Sequence, residues 1–155
     1  MPEVVNEAGT EQALKLWVVL SRAFNAVQAH VQSDIARHGL TVTEFGVLEA
    51  LYHKGPLLLG EVQRKILVTS GGVTYLVDRL VAKGLVERRR CPTDRRAAYA
   101  ALTPEGEALI REIFPQHAVA IDRAMAGLDD EQRAQAITLL RALGRHAADA
   151  PRTDG

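Results

Sequence analysis

Residues 70–106 read SGGVTYLVDRLVAKGLVERRRCPTDRRAAYAALTPEG. Val73, Leu76, Val77 and Leu80 recur at helical spacing, and Gly84 directly after Lys83 is a left-handed stop. The pattern predicts a helix capped by Ser70 and ending near Lys83. The next signal is different in kind. Two short arms, 85–90 and 97–102, flank the turn-rich CPTDRR, which predicts a two-stranded hairpin with a charged tip. Thr103-Pro104 then opens another helix, because proline suits the first helical position. A further short helix expected over Leu59–Ile66 precedes the stretch. Two helices across a tight connection, followed at once by a basic hairpin, have helix-turn-helix spacing.

Outward from this segment the chain is helical in pattern. Leu14, Trp17, Val18, Phe24, Val27, Val31 and Ile35 mark one face of a helix over 11–38, with Gly39 as its stop. Such a helix is about 40 Å long at 1.5 Å per residue, more than a small core requires. Thr41 and Glu44 have capping-box spacing ahead of Phe45, Val47, Leu48, Leu51 and Tyr52. His53-Lys54-Gly55-Pro56 ends that helix. After Pro104 the apolar pattern runs through Leu109, Ile110, Ile113 and Phe114, meets Pro115, where a kink is expected, and continues to Met125. Asp129 and Gln132 form a second capping-box pair before Ile137, Leu139, Leu140 and Leu143. Segments 1–10 and 148–155 are expected to be disordered tails.

The chain has 155 residues with 19 basic and 19 acidic side chains, a formal charge of zero. That total conceals a segregation. Arg64, Lys65, Arg79, Lys83, Arg88, Arg89, Arg90, Arg95 and Arg96 share the 64–96 window with only Asp78, Glu87 and Asp94. The window is therefore strongly cationic and the remainder equally anionic. Clustered arginine suits phosphate contact, because neutralising phosphates releases condensed counterions. Gly71 and Gly72 in the first turn of a helix cost up to about 1 kcal/mol each relative to alanine. They make sense where backbone N–H groups must closely approach an anion. Thr74 and Tyr75 are placed to touch base edges, and Arg79, one turn on, to reach a phosphate. A nucleotide-binding glycine loop is excluded, since no strand precedes these glycines and no Gly-Lys-Ser/Thr follows.

The 70–106 segment resembles the winged helix-turn-helix of the multiple-antibiotic-resistance regulator (MarR) family. Thr41-Val-Thr-Glu-Phe45, Asp94-Arg95-Arg96 and Leu102-Thr103-Pro104-Glu105-Gly106 carry the same likeness. The similarity in pattern spans about 11–147 and is specific over 41–106. Leu58 departs from it, standing where members often place a Ser or Thr cap. The resemblance implies one mostly α domain over 1–155 with an α+β wing. In it, a lobe over 41–102 is flanked by dimerisation helices over 11–38 and 103–147. It also implies a homodimer binding double-stranded DNA at a pseudo-palindrome, most simply as a repressor. Carried over position by position, Ser70, Gly71, Gly72, Thr74, Tyr75 and Arg79 meet the major groove. Arg96 enters the minor groove, Asp94 holds it, and Arg95 assists; Arg88 and Arg90 complete the basic wing.

The resemblance further implies an aromatic or phenolic effector in a crevice near Trp17, Ser21, Phe24, Leu48, Tyr52 and Phe114. Ser21 is the polar member of its apolar stripe; the plainer alternative is a bond back to its own helix. Cys91, the sole cysteine, excludes an intrachain disulfide and points to a reducing cytoplasm. Beside Arg88, Arg89 and Arg90 its thiol is expected to be acidified, which admits a redox-responsive alternative. The five histidines have no metal-ligand spacing, and no cofactor is expected. No G-x-S-x-G, H-E-x-x-H or Walker loop suggests an enzyme. No apolar run approaches the roughly 20 residues of a membrane span. A winged-helix module that binds protein is the remaining rival, but it has no need of so cationic a window.

Overall fold

The computed structural model describes residues 6–66 and 70–153, with the side chains of Ser70 and Gly71 excepted. Its elements are α1 (Glu7–Ala36), α2 (Val42–Lys54), β1 (Leu57–Leu58), α3 (Leu59–Ile66), α4 (Ser70–Ala82), β2 (Val86–Arg90), β3 (Ala98–Leu102), α5 (Pro104–Ala124) and α6 (Asp130–Asp149). The chain forms two compact units, 1–121 and 122–155.

Most boundaries follow local chemistry visible in the sequence. Thr41 and Glu44 form the reciprocal capping box at the start of α2. Gly39, Gly55 and Gly84 all have φ near +75°, which an L side chain resists, and each follows a helix. The first helix starts earlier than expected. Asn6 caps α1 by accepting the Gly9 N–H, so residues 7–10 are helix and not tail. Residues 148–149 likewise belong to α6. Helix α5 continues unbroken through Pro115. The connection at 67–69 and the capping role expected of Ser70 lie outside the described residues.

The sheet holds one strand that the sequence reading omitted. Its order is β1-β3-β2, all antiparallel, with Leu57 opposite Ala100 and Arg88 opposite Ala100 from the other side. β3 is therefore the central strand. Its alanines Ala100 and Ala101 are buried. Leu58, directly before α3, pairs in the sheet opposite Tyr99.

Within the first unit the core gathers Ile35, Phe45, Leu48, Leu51, Val62, Val77, Leu80, Val86, Ile110 and Ile113. Val73, Leu76, Val77 and Leu80 turn inward from α4, as their spacing predicts. Thr103 joins wing to helix. Its hydroxyl donates to the Gly84 carbonyl at 2.6 Å and accepts from the Gly106 N–H at 3.0 Å. Gly106 lies so close to Leu85 that an added Cβ would sit 1.9 Å from that residue's carbonyl oxygen.

In the second unit, α6 opens with the Asp129/Gln132 capping box. Arg133 closes the preceding turn, reaching Asp122 Oδ1 at 2.7 Å and the Leu128 carbonyl at 3.1 Å. No residue of α6 is buried.

Candidate nucleic-acid interface

Packing of α4 on the core fixes what it presents outward. With Val73, Leu76, Val77 and Leu80 inside, Thr74, Tyr75, Asp78 and Arg79 are left on the exposed face. Tyr75 is 64% exposed, and the Arg79 guanidinium lies 5.8 Å from its ring centroid. Such a large exposed aromatic beside a cation has no part in the core. Gly72 is half-buried, and the contacts of Ser70 and Gly71 lie outside the described residues.

The arginines divide into two groups. Arg88 is turned toward α4: it pairs with Asp78 at 2.5 Å and reaches the Thr74 carbonyl at 3.5 Å. Arg89 pairs with Glu87 at 2.8 Å. Arg64, Lys65, Arg90, Arg95 and Arg96 have no ion pair with another described residue and are all exposed. Arg88, expected as a direct contact, thus has its guanidinium engaged in bracing the wing against α4. At the wing tip Asp94 accepts the backbone N–H of Arg96 at 2.9 Å. The acid shapes the turn that carries Arg96 and holds the residue through its backbone.

Two contributors escaped the sequence reading. Arg64, on α3, lines a cleft of about 300 Å³ together with Arg96, Leu58 and Glu61. The charge count included Arg64, but only the fold brings it beside the wing. Glu44 is the second: it is 1% exposed, yet lies 2.7 Å from Lys83 Nζ and 3.6 Å from Arg79. Burial alone would raise its pKa. Hydrogen bonds from Lys83 and Thr41 outweigh burial and hold the carboxyl below its usual value.

The residues expected to meet an effector are distributed over α1, α2 and α5. Leu48 is fully buried in the core. Tyr52 lies edge-on to His53, which lies edge-on to Phe114, with centroids 5.3 and 5.1 Å apart. Tyr52 also lines a cleft of about 310 Å³ with Leu51, Pro56, Arg89 and Glu107. On α1, Trp17 and Phe24 are exposed at 66% and 62%. Ser21 between them has a buried hydroxyl with no hydrogen-bond partner among the described residues, so it does not bond back to its helix.

The Cys91 thiol is held below its ordinary value, chiefly by hydrogen bonding from Thr93, 3.4 Å away. The leading cause is thus Thr93 and not the neighbouring arginines expected from the sequence. Among the described residues no group of His, Cys, Asp and Glu is arranged to hold a metal, and no helix is long and apolar enough to cross a membrane.

The model of the MarR family matches residues 38–97. The HTH-type transcriptional regulator MhqR of Bacillus subtilis (strain 168) is 44% identical over 138 residues, 89% of this chain and 95% of that one. Among solved structures, Sco3205 of Streptomyces coelicolor, a MarR family transcriptional regulator in complex with DNA, has a TM-score of 0.80 at 26% identity, covering 88% of each chain. BpsR of Bordetella bronchiseptica, whose DNA binding is regulated by 6-hydroxynicotinic acid, has a TM-score of 0.75 at 30% identity, covering 84% of this chain and 98% of that one. The exposed face of α4, the basic wing and these relatives agree: the chain belongs to the MarR family of winged helix-turn-helix, DNA-binding transcriptional regulators.

Proposed function

We propose that the protein represses transcription as a homodimer, occluding a pseudo-palindromic duplex site. The observation that carries the DNA contacts is the division of side chains: Tyr75 and Arg79 outward on α4, with Arg90, Arg95 and Arg96 making no ion pair among the described residues of the wing and its neighbours. On this reading Gly71, Gly72, Thr74 and Tyr75 meet the major groove, Arg79 and Arg64 meet phosphates, and Arg96 enters the minor groove. Inserted arginine favours narrow, A·T-rich grooves, so part of the specificity is indirect. Dimerisation is supported by apolar side chains left in water: Leu14, Trp17 and Phe24 on α1, and Ile137, Leu139 and Leu140 on α6. A two-fold dimer calls for half-sites about one helical turn apart.

Selection of duplexes from a random pool tests the reading. The expected product is a palindrome, and a site overlapping a promoter whose transcription falls when the protein is added. Recovery of no preferred sequence overturns it.

A second reading concerns release from DNA by a small aromatic acid or phenol. It is favoured by the Ser21 hydroxyl, buried without a hydrogen-bond partner among the described residues, with Trp17 and Phe24 one turn to either side. BpsR, regulated by a hydroxylated aromatic acid, is a relative with the same fold. A thermal-shift screen with phenolic acids, repeated on Ser21→Ala, tests it; equal shifts in both proteins remove Ser21 from the site.

A further inference from the structure

We propose that Glu44 is a positioning residue for DNA recognition: from inside the lobe it fixes Arg79 and Lys83, so that α4 presents Arg79 to a phosphate. The inference rests on Arg79 being a DNA contact, as proposed above. Capping alone does not account for this carboxylate. The capping box uses one oxygen, Oε1, which accepts the Thr41 N–H at 3.1 Å, and a neutral glutamine serves that role equally well. A charge buried to 1% exposure needs a further reason, since an unpaired one would be strongly disfavoured.

Its counter-charges come from α4, which carries Arg79, and from Lys83 directly after it. Lys83 Nζ is 2.7 Å from Oε2 and Arg79 Nη2 is 3.6 Å from Oε1. Tyr75, Arg79 and Lys83 are spaced by four, forming one row along the helix. Exposure falls along that row: the Tyr75 residue is 64% exposed, the Arg79 side chain 43% and the Lys83 side chain 35%. The row leaves solvent where Glu44 is. Lys83 also donates to the Gly39 carbonyl at 3.2 Å, tying the end of α4 to the turn after α1. At 3.6 Å the Arg79 contact is an ion pair and not a hydrogen bond. Its N–H donors therefore stay available, while the carboxylate backs the guanidinium and the Tyr75 ring flanks it. An arginine held in this way loses less freedom on meeting a phosphate.

The test is a double-mutant cycle of Glu44→Gln and Arg79→Ala, read as dissociation constants for the selected site and for an unrelated duplex, with folding checked by circular dichroism. Glu44→Gln is expected to weaken binding to the selected site roughly tenfold and to add almost nothing in the Arg79→Ala background. A purely structural role would weaken both backgrounds alike, so additive losses overturn the proposal. Unchanged or tighter binding by Glu44→Gln overturns it too. Wild-type binding by Arg79→Ala instead overturns the reading of Arg79 on which the proposal rests. If Glu44→Gln does not fold, Lys83→Met removes the other anchor from the solvent side. It is expected to show the same coupling to Arg79→Ala, and additivity there again overturns the proposal.

Discussion

His117 Nδ1 on α5 lies 3.1 Å from Asp34 Oδ2 on α1, and both side chains are buried. Arg37 holds the other Asp34 oxygen at 2.6 Å, and the Phe45 ring of α2 lies 4.5 Å from the imidazole. One polar pair thus fastens three helices of the first unit. Burial alone would raise the Asp34 pKa. Hydrogen bonds from Arg37 and His117, with their charges, outweigh that and hold the carboxyl below its usual 3.8.

His117→Ala is therefore expected to cost about 3 kcal/mol, because it leaves a buried carboxylate with one partner. The pH dependence has a definite sign. A folded pKa below the unfolded one means that the stabilisation is present above the ordinary carboxylate value and lost as pH falls through the folded one. Glu44, also lowered, adds to the same acid limb. Urea midpoints recorded from neutral pH down to pH 3 should fall in wild type and fall less steeply in Asp34→Asn. Parallel curves would remove Asp34 from the acid limb.

Gly106 sits where α5 meets the start of the wing, and an added Cβ would lie 1.9 Å from the Leu85 oxygen and 2.8 Å from its carbonyl carbon. Neither atom is the end of a flexible side chain, so backbone must move. Gly106→Ala should destabilise by about 2 kcal/mol or more. Gly60 is the control: it is helical with nothing within 4 Å. Gly60→Ala should be neutral or gain about 0.5 kcal/mol. Equal effects in chemical denaturation would refute the packing explanation.

The local parts of this fold were legible because single residues dictate them. Thr41 with Glu44 and Asp129 with Gln132 declare helix starts, Gly84 declares an end, and the spacing from Val73 to Leu80 declares which face of α4 is inward. Long-range pairings carry no such mark. β1 is two residues whose partner, β3, lies some forty positions away, so nothing in Leu57-Leu58 announces a strand. Asp34 and His117 each resemble an ordinary surface residue until α1 and α5 meet. Within the candidate site, the cationic window was visible by counting. Which arginines remain unpaired was not, since that depends on Asp78 facing Arg88 across two elements.

The apolar side chains on α6 give a direct test of self-association. Leu139 is 70% exposed and Ile137 55%. Burying such a side chain is worth about 1.5–3 kcal/mol, and a charge in its place adds a desolvation cost. Leu139→Glu should shift the sedimentation equilibrium toward monomer and weaken binding to a palindrome more than to a half-site. An unchanged mass distribution would exclude α6 from the interface.

Cys91 separates two causes of thiol acidity. Because Thr93 hydrogen bonding is the leading cause of the lowered value, Thr93→Val should move the alkylation midpoint with iodoacetamide to higher pH. Replacing Arg90 by Ala should leave it in place. The reverse pattern would restore the arginines as the cause.

Arg88 and Arg96 differ in role despite belonging to one basic wing, and salt dependence distinguishes them. Arg96 is unpaired among the described residues, at a turn shaped by Asp94, so its charge is available to the duplex. If it neutralises a phosphate-type charge, Arg96→Ala should lower the log–log salt slope of binding by about 0.9. Arg88 is engaged with Asp78 and with the Thr74 carbonyl. Arg88→Ala should therefore leave the salt slope unchanged and lower the unfolding midpoint slightly, because exposed pairs contribute about 1 kcal/mol or less. Gel shifts at several salt concentrations, paired with urea melts, measure both quantities. A slope change for Arg88→Ala as large as that for Arg96→Ala would mean that the Asp78 pair opens on DNA, and that the wing binds as a single charged surface.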